Sequence, residues 1–164
     1  MESTIGPAAF ESRSGFRYNR GSMPTDLLTL TRERAQDNLF WRYLGVQVDD
    51  AGEGWVRLRV PVKDGLRNAV AAPVHGGVLS ALVDMAVGGA LGTTHDNAAG
   101  GVGQTTLDLN VSFLAAAGDG EILAEGRLLR RGRSIAFGEA RITDGAGKLV
   151  AVGRATYMIL SPKS

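Results

Sequence analysis

Between Gly76 and Leu91 the chain reads GGVLSALVDMAVGGAL, sixteen residues in which Asp84 is the one charged side chain. A helix that is apolar on nearly every side is a buried helix, so this segment predicts a central element around which the rest of the chain is built. It is shorter than the roughly 20 apolar residues a bilayer span requires, and it carries an acid. A lone carboxylate in such a helix is costly to desolvate. It must be paired, protonated, or placed at a cleft where it does chemistry.

The flanking segments read as sheet and short helix. Thr25 to Tyr43 suits one surface helix or two short ones, with Thr25 or Asp26 as the cap. Gly45 ends that pattern. Val46 and Val48, then Val56, Leu58 and Val60, alternate with polar residues on either side of an expected turn at Asp50 to Gly54, which predicts a hairpin with one buried face. After the helix, Gln104 to Ala115, Glu121 to Arg130, Ser134 to Thr143 and Lys148 to Leu160 read as four strands, expected as a meander. Asp144-Gly145-Ala146-Gly147 marks the last hairpin. Helix, two strands, long helix and four strands make an α+β pattern, an antiparallel sheet packed against one helix.

Residues 1–24, rich in Ser, Gly, Arg and Pro without a period, predict a flexible N-terminal extension ahead of a single domain at 25–164. The triplet Gly21-Ser22-Met23 resembles a cloning junction. At 164 residues the chain suffices for one domain with a sizeable core. Its 18 Lys plus Arg against 17 Asp plus Glu leave a formal charge of +1, too small to predict a nucleic-acid or membrane partner. Partners must therefore be argued from sites. The absence of cysteine removes disulfides, a thiol nucleophile and thiolate ligands, and fits a cytoplasmic protein. Two histidines, His75 and His95, are a thin basis for a metal, and none is expected.

His75-Gly76-Gly77, followed by Leu82, Asp84 and Gly88 and then by TTLDLNVSFLAAAGDGEILAEGRLLRRGRSIAFGEARITDGAGKLVAVGRATY, resembles the acyl-CoA thioesterases of the hotdog superfamily, particularly the phenylacetate-pathway type. The resemblance covers roughly Leu39 to Leu160. It implies a hotdog fold, a long helix wrapped by a curved antiparallel sheet. It also implies hydrolysis of an acyl-CoA to acid and coenzyme A, with no cofactor beyond the CoA of the substrate. The oligomer it implies is at least a homodimer and extends to a homotetramer.

The residues carry a physical reading beside it. Amides in the first turn of a helix lack intrahelical acceptors, and with the helix dipole behind them they can polarise a thioester carbonyl. The resemblance points to the Gly76 amide for that role, with Gly77 beside it. Asp84 lies eight residues on, about 12 Å along the axis, too far to serve its own helix's donor. In a dimer with antiparallel helices, the Asp of one chain could approach the glycine turn of the other, and the resemblance implies such composite sites. Asp84 would act as general base on water or attack the thioester directly. The plainer reading of Asp84 is a buried acid paired only with an amide or an arginine.

His75 suits positioning of the loop before the helix, and Thr106 falls where relatives place a hydroxyl that orients water, though a strand threonine is common for packing alone. Many relatives carry an Asn six residues before the His. Here Asn68 lies seven before His75, a departure that leaves its part in the site open. Arg130, Arg131 and Arg133, with Ser134, suit the phosphates of coenzyme A or form a solvated strand end. His95 reads as an ordinary exposed loop residue. Leu82, Met85 and Val87 are expected to line the acyl pocket. Two other readings compete: a hotdog acyl-thioester hydratase or dehydratase using His75, and a non-catalytic acyl-CoA binding module.

Overall fold

A computed structural model describes residues 26–95 and 103–160. The expected extension at 1–24 lies outside the described residues. Two short helices open the described chain, α1 at Leu27–Asp37 and α2 at Leu39–Leu44. Asp26 caps α1 by accepting the Leu28 amide. Asn38 ends α1 and caps α2, its Oδ1 accepting the amides of Phe40 and Trp41, both at 3.1 Å. One short polar side chain thus satisfies two first-turn donors and sets the bend between the helices.

Strands β1 (Gln47–Gly52) and β2 (Trp55–Pro61) form the expected hairpin, but its turn is tighter than the sequence suggests. Pairing runs on to Gly52 and Trp55, and a register shift between Val48 and Asp50 absorbs the irregular Asp49-Asp50 stretch. Asp50, which opens the expected turn, is paired within β1, next to a bulge at Asp49.

The long helix α3 covers Gly76–Gly92. After it come β3 (Gln104–Phe113), β4 (Glu121–Arg131), β5 (Ile135–Asp144) and β6 (Leu149–Ile159). All pairings are antiparallel, in the order β1-β2-β4-β5-β6-β3. The expected meander therefore holds only for β4 to β6. Strand β3 crosses to the far edge and pairs with β6, while β4 docks on β2. Strand alternation carries no information about which neighbour a strand will choose, so the crossover was invisible in the pattern.

The core lies between α3 and the inner sheet face. Leu82, Val83, Ala86, Val87, Ala90 and Leu91 are fully buried there against Val56, Leu58, Val60, Ala124, Ile142 and Val150. The approach is close enough that a Cβ built on Gly126 of β4 would stand 2.3 Å from the carbonyl carbon and oxygen of Ala86. A side chain there would meet backbone, so only glycine lets the helix seat at this depth.

Candidate active site

The first turn of α3 is organised by His75. Its backbone is extended, its amide donates to Leu66 O at 2.8 Å, and its Nδ1 accepts the Gly77 amide at 2.8 Å. The Val78 amide donates to His75 O. Two of the first-turn donors are thereby consumed, and the Gly76 amide has no acceptor among the described residues. It is the donor at the positive end of the helix that remains free for a ligand. The Phe113 ring lies against it, 3.4 Å from where a Gly76 Cβ would stand.

Asp84 lies two turns further along α3, half-buried. Its Oδ1 accepts two hydroxyls, Thr106 Oγ1 at 2.8 Å and Tyr157 OH at 2.6 Å. The Tyr157 hydroxyl also sits 2.8 Å from the main-chain oxygen of Asp84. Thr106 and Tyr157 are opposite each other in the β3–β6 pairing, so one rung of the sheet presents both hydroxyls to one carboxylate oxygen. Burial, reinforced by the hydrogen bond to Asp84, raises the Tyr157 phenol far above its ordinary range and keeps it a proton donor.

A cleft of about 660 Å³ opens beside Asp84. Its walls include Phe40, Trp41, Met85, Gly88, Thr106 and Tyr157, apolar surfaces with a few convergent polar groups. Of the three helix residues expected to line it, only Met85 does. Leu82 and Val87 are fully buried in the core, on the face of α3 turned to the sheet.

The far end of the cleft is polar. Gln104 Nε2 donates to Gly88 O at 2.8 Å, which fixes its amide so that Oε1 faces His95 Nε2, also at 2.8 Å. The ring nitrogen facing an amide oxygen must carry the proton. His95 is 7% exposed, not the solvent-facing loop residue the sequence suggests. Burial, with Arg131 and Arg34 nearby, pushes its pKa down despite the glutamine bond. The signal missed was the spacing to Gln104 across the loop, which sequence alone does not close.

The remaining predicted residues are dispersed. Asn68 is exposed; its Nδ2 donates to Pro73 O at 3.2 Å, bracing its own loop, and it does not line the cleft. Arg130 and Arg131 end β4 and are exposed, as are Arg133 and Ser134 in the turn that follows. Arg131 Nε donates to Thr94 Oγ1 at 2.9 Å, which ties the end of β4 to the end of α3. Tyr157 and Gln104 were not foreseen. Both sit within ordinary strand runs, Gln104 at the start of β3 and Tyr157 near the end of β6, with no motif to single them out.

A long helix laid across a six-stranded antiparallel sheet, with an acid on the helix and a glycine turn at its start, is the hotdog arrangement of thioester hydrolases. Comparison supports this. Residues 73–151 match the family model of the thioesterase superfamily. A Halobacterium salinarum protein carrying an esterase name is 31% identical over 141 residues, covering 82% of this chain and 93% of the relative. A solved structure described as coming from the thioesterase superfamily is 32% identical, with a TM-score of 0.72 over 81% of this chain and 98% of its own. The Escherichia coli PaaI protein from the phenylacetic acid degradation operon shares the fold at 18% identity, TM-score 0.71, over 83% and 98% of the two chains. The chain belongs to the thioesterase superfamily.

Proposed function

We propose that this protein is a cytoplasmic acyl-CoA thioesterase that releases a free acid and coenzyme A from a small or medium acyl-CoA. The observation that carries the reading is the pairing of one unengaged first-turn amide, at Gly76, with one hydroxyl-anchored carboxylate, at Asp84, on the same helix. The amide polarises the thioester carbonyl and holds the oxyanion. The carboxylate activates water or adds to the carbonyl itself. These groups suffice for hydrolysis, so the reading invokes no metal or prosthetic group. The cleft, with Phe40, Trp41 and Met85 on its walls, takes the acyl group.

The two halves lie about 12 Å apart along one axis, so the working site is composite and the enzyme is at least a homodimer, extending to a tetramer. Support comes from β3, an edge strand of ten residues on which Leu107, Leu109 and Phe113 are all exposed. A long apolar edge of this kind needs a partner. Arg130, Arg131 and Arg133, with Ser134, take the phosphates of coenzyme A. His75 and Thr106 position the site, Gly77 shapes the turn, and Asn68 braces the loop before it. The hydratase alternative needs a histidine free to shuttle a proton, whereas His75 Nδ1 is occupied by the Gly77 amide. Among the described residues no helix is long and apolar enough to cross a membrane.

A thiol-release assay over aromatic, short-chain and long-chain acyl-CoAs tests the reading. Wild type releases thiol from at least one class, and Asp84→Asn loses at least a hundredfold in kcat while keeping its oligomeric state. Near-normal turnover in Asp84→Asn sinks the mechanism. Tight binding without release by wild type establishes a binding module instead.

A further inference from the structure

Asp84 Oδ1 receives two hydroxyl donors, and the remaining oxygen, Oδ2, receives none among the described residues. We infer that Tyr157 is a positioning residue for Asp84, one that holds Oδ1 so that Oδ2 alone meets substrate and that keeps its own proton satisfied as the charge on Asp84 changes. The inference rests on the catalytic reading of Asp84 and goes beyond it.

Tyr157 has one hydroxyl proton and two acceptors within reach, Asp84 Oδ1 at 2.6 Å and Asp84 O at 2.8 Å. While the carboxylate is charged, the shorter, charge-assisted bond to Oδ1 takes the proton. When Oδ2 accepts a proton from water, Oδ1 becomes a weaker acceptor, and the hydroxyl turns to the main-chain oxygen without its ring moving. Neither state strands a buried donor, which would cost about 1–3 kcal/mol. In the balanced step, a water proton passes to Oδ2 as the water oxygen bonds to the thioester carbon. The carbon–sulfur bond then breaks, and the proton on Oδ2 returns to the departing sulfur.

The surroundings leave Tyr157 as the titratable group in direct contact with Asp84. Strands β2, β4 and β5 present Val56, Leu58, Val60, Ala124, Gly126, Ala136 and Ala140 to α3 and carry no charge there. Strand β3 contributes Thr106, a neutral hydroxyl. Arg34 of α1 and His95 share the cleft with Asp84, but Arg34 Nη1 donates to Gly92 O and His95 Nε2 bonds Gln104. Asn38, the cap of α2, and Phe40 and Trp41 of that helix also line the cleft, none of them titratable.

Tyr157→Phe removes one oxygen and keeps the buried ring. The expected result is a kcat about tenfold lower with KM within twofold, and an acid limb of the kcat/KM profile moved to higher pH by about one unit, since a donor to the carboxylate is lost. Incorporation of 3-fluorotyrosine at 157, a stronger donor on an unchanged backbone, moves that limb the other way and serves if the Phe variant folds poorly. A limb that stays in place in both proteins overturns the inference, whether or not kcat falls, because a purely structural role lowers kcat without moving the limb. Should Asp84→Asn itself retain turnover, the catalytic reading fails first. Should it be inert while the limb is unmoved, this inference alone fails.

Discussion

His75 Nδ1 accepts the amide of Gly77, two residues ahead, at 2.8 Å, and a Cβ on Gly77 would stand 2.9 Å from that same nitrogen. The histidine therefore acts as an N-cap, a role usually filled by Ser, Thr, Asp or Asn. By taking the second glycine's amide it leaves the first one's free.

His75→Ala should cost about 1 kcal/mol of stability, the usual value of a lost cap. It should also release the Gly77 amide into the turn and lower kcat/KM. His75→Asn, which restores a capping oxygen, should recover the stability. Urea denaturation of the two variants beside wild type checks the cap, and thiol release checks the turn. Equal stability in all three would remove the capping role.

Gly88 faces the site from one turn beyond Asp84. A Cβ there would stand 2.7 Å from the Tyr157 hydroxyl oxygen and 3.1 Å from Gln104 Nε2. Gly88→Ala should therefore push Tyr157 off the carboxylate, costing about 1–3 kcal/mol as overpacking does and lowering kcat with it. Gly65→Ala, where a Cβ meets nothing within 4 Å, is the matched control and should change stability by less than about 0.5 kcal/mol. Thermal unfolding and steady-state rates on both variants decide the matter, and wild-type kinetics in Gly88→Ala would contradict the packing.

The helix that organises the fold was legible because apolar composition on every side admits one reading, and its observed limits, Gly76–Gly92, differ from the pattern by one residue. The strands were legible for a similar reason, since period-two alternation identifies them one at a time. Strand order was not: nothing in Gln104–Phe113 says that it pairs with β6 rather than β4. The same limit applies to the cleft. Asp84 stood out as a lone charge, whereas Tyr157 reached it from 73 residues away through the register of two strands. His95 read as exposed because the residue burying one side of it, Gln104, comes from across a loop.

The seating of α3 on the sheet gives a sharper stability test. At Gly126 the atoms a Cβ would meet are the carbonyl carbon and oxygen of Ala86 at 2.3 Å, in the middle of the helix, where no side chain can rotate aside. Gly126→Ala must lift the helix from the sheet or bend β4. A loss above about 3 kcal/mol, at the upper end of overpacking costs, is expected, with insoluble expression as the extreme. A soluble Gly126→Ala protein with an unchanged melting temperature would show that the helix sits further from the sheet.

His95 gives the fold a pH dependence. Its pKa is pushed below the ordinary value of 6.5, with burial as the main cause, so the folded protein holds the ring neutral in a range where the unfolded chain protonates it. Where the unfolded state binds more protons, stability rises with pH. The contribution is therefore complete above about pH 6.5 and is lost as pH falls through the lowered folded value. His95→Gln removes the titration while keeping an amide that can bond Gln104. Urea midpoints measured from pH 8 down to pH 5 should fall more steeply below pH 6.5 in wild type than in His95→Gln, whose curve lacks the His95 contribution. Parallel curves would mean that His95 titrates alike in the folded and unfolded chain, and would contradict its burial beside Gln104.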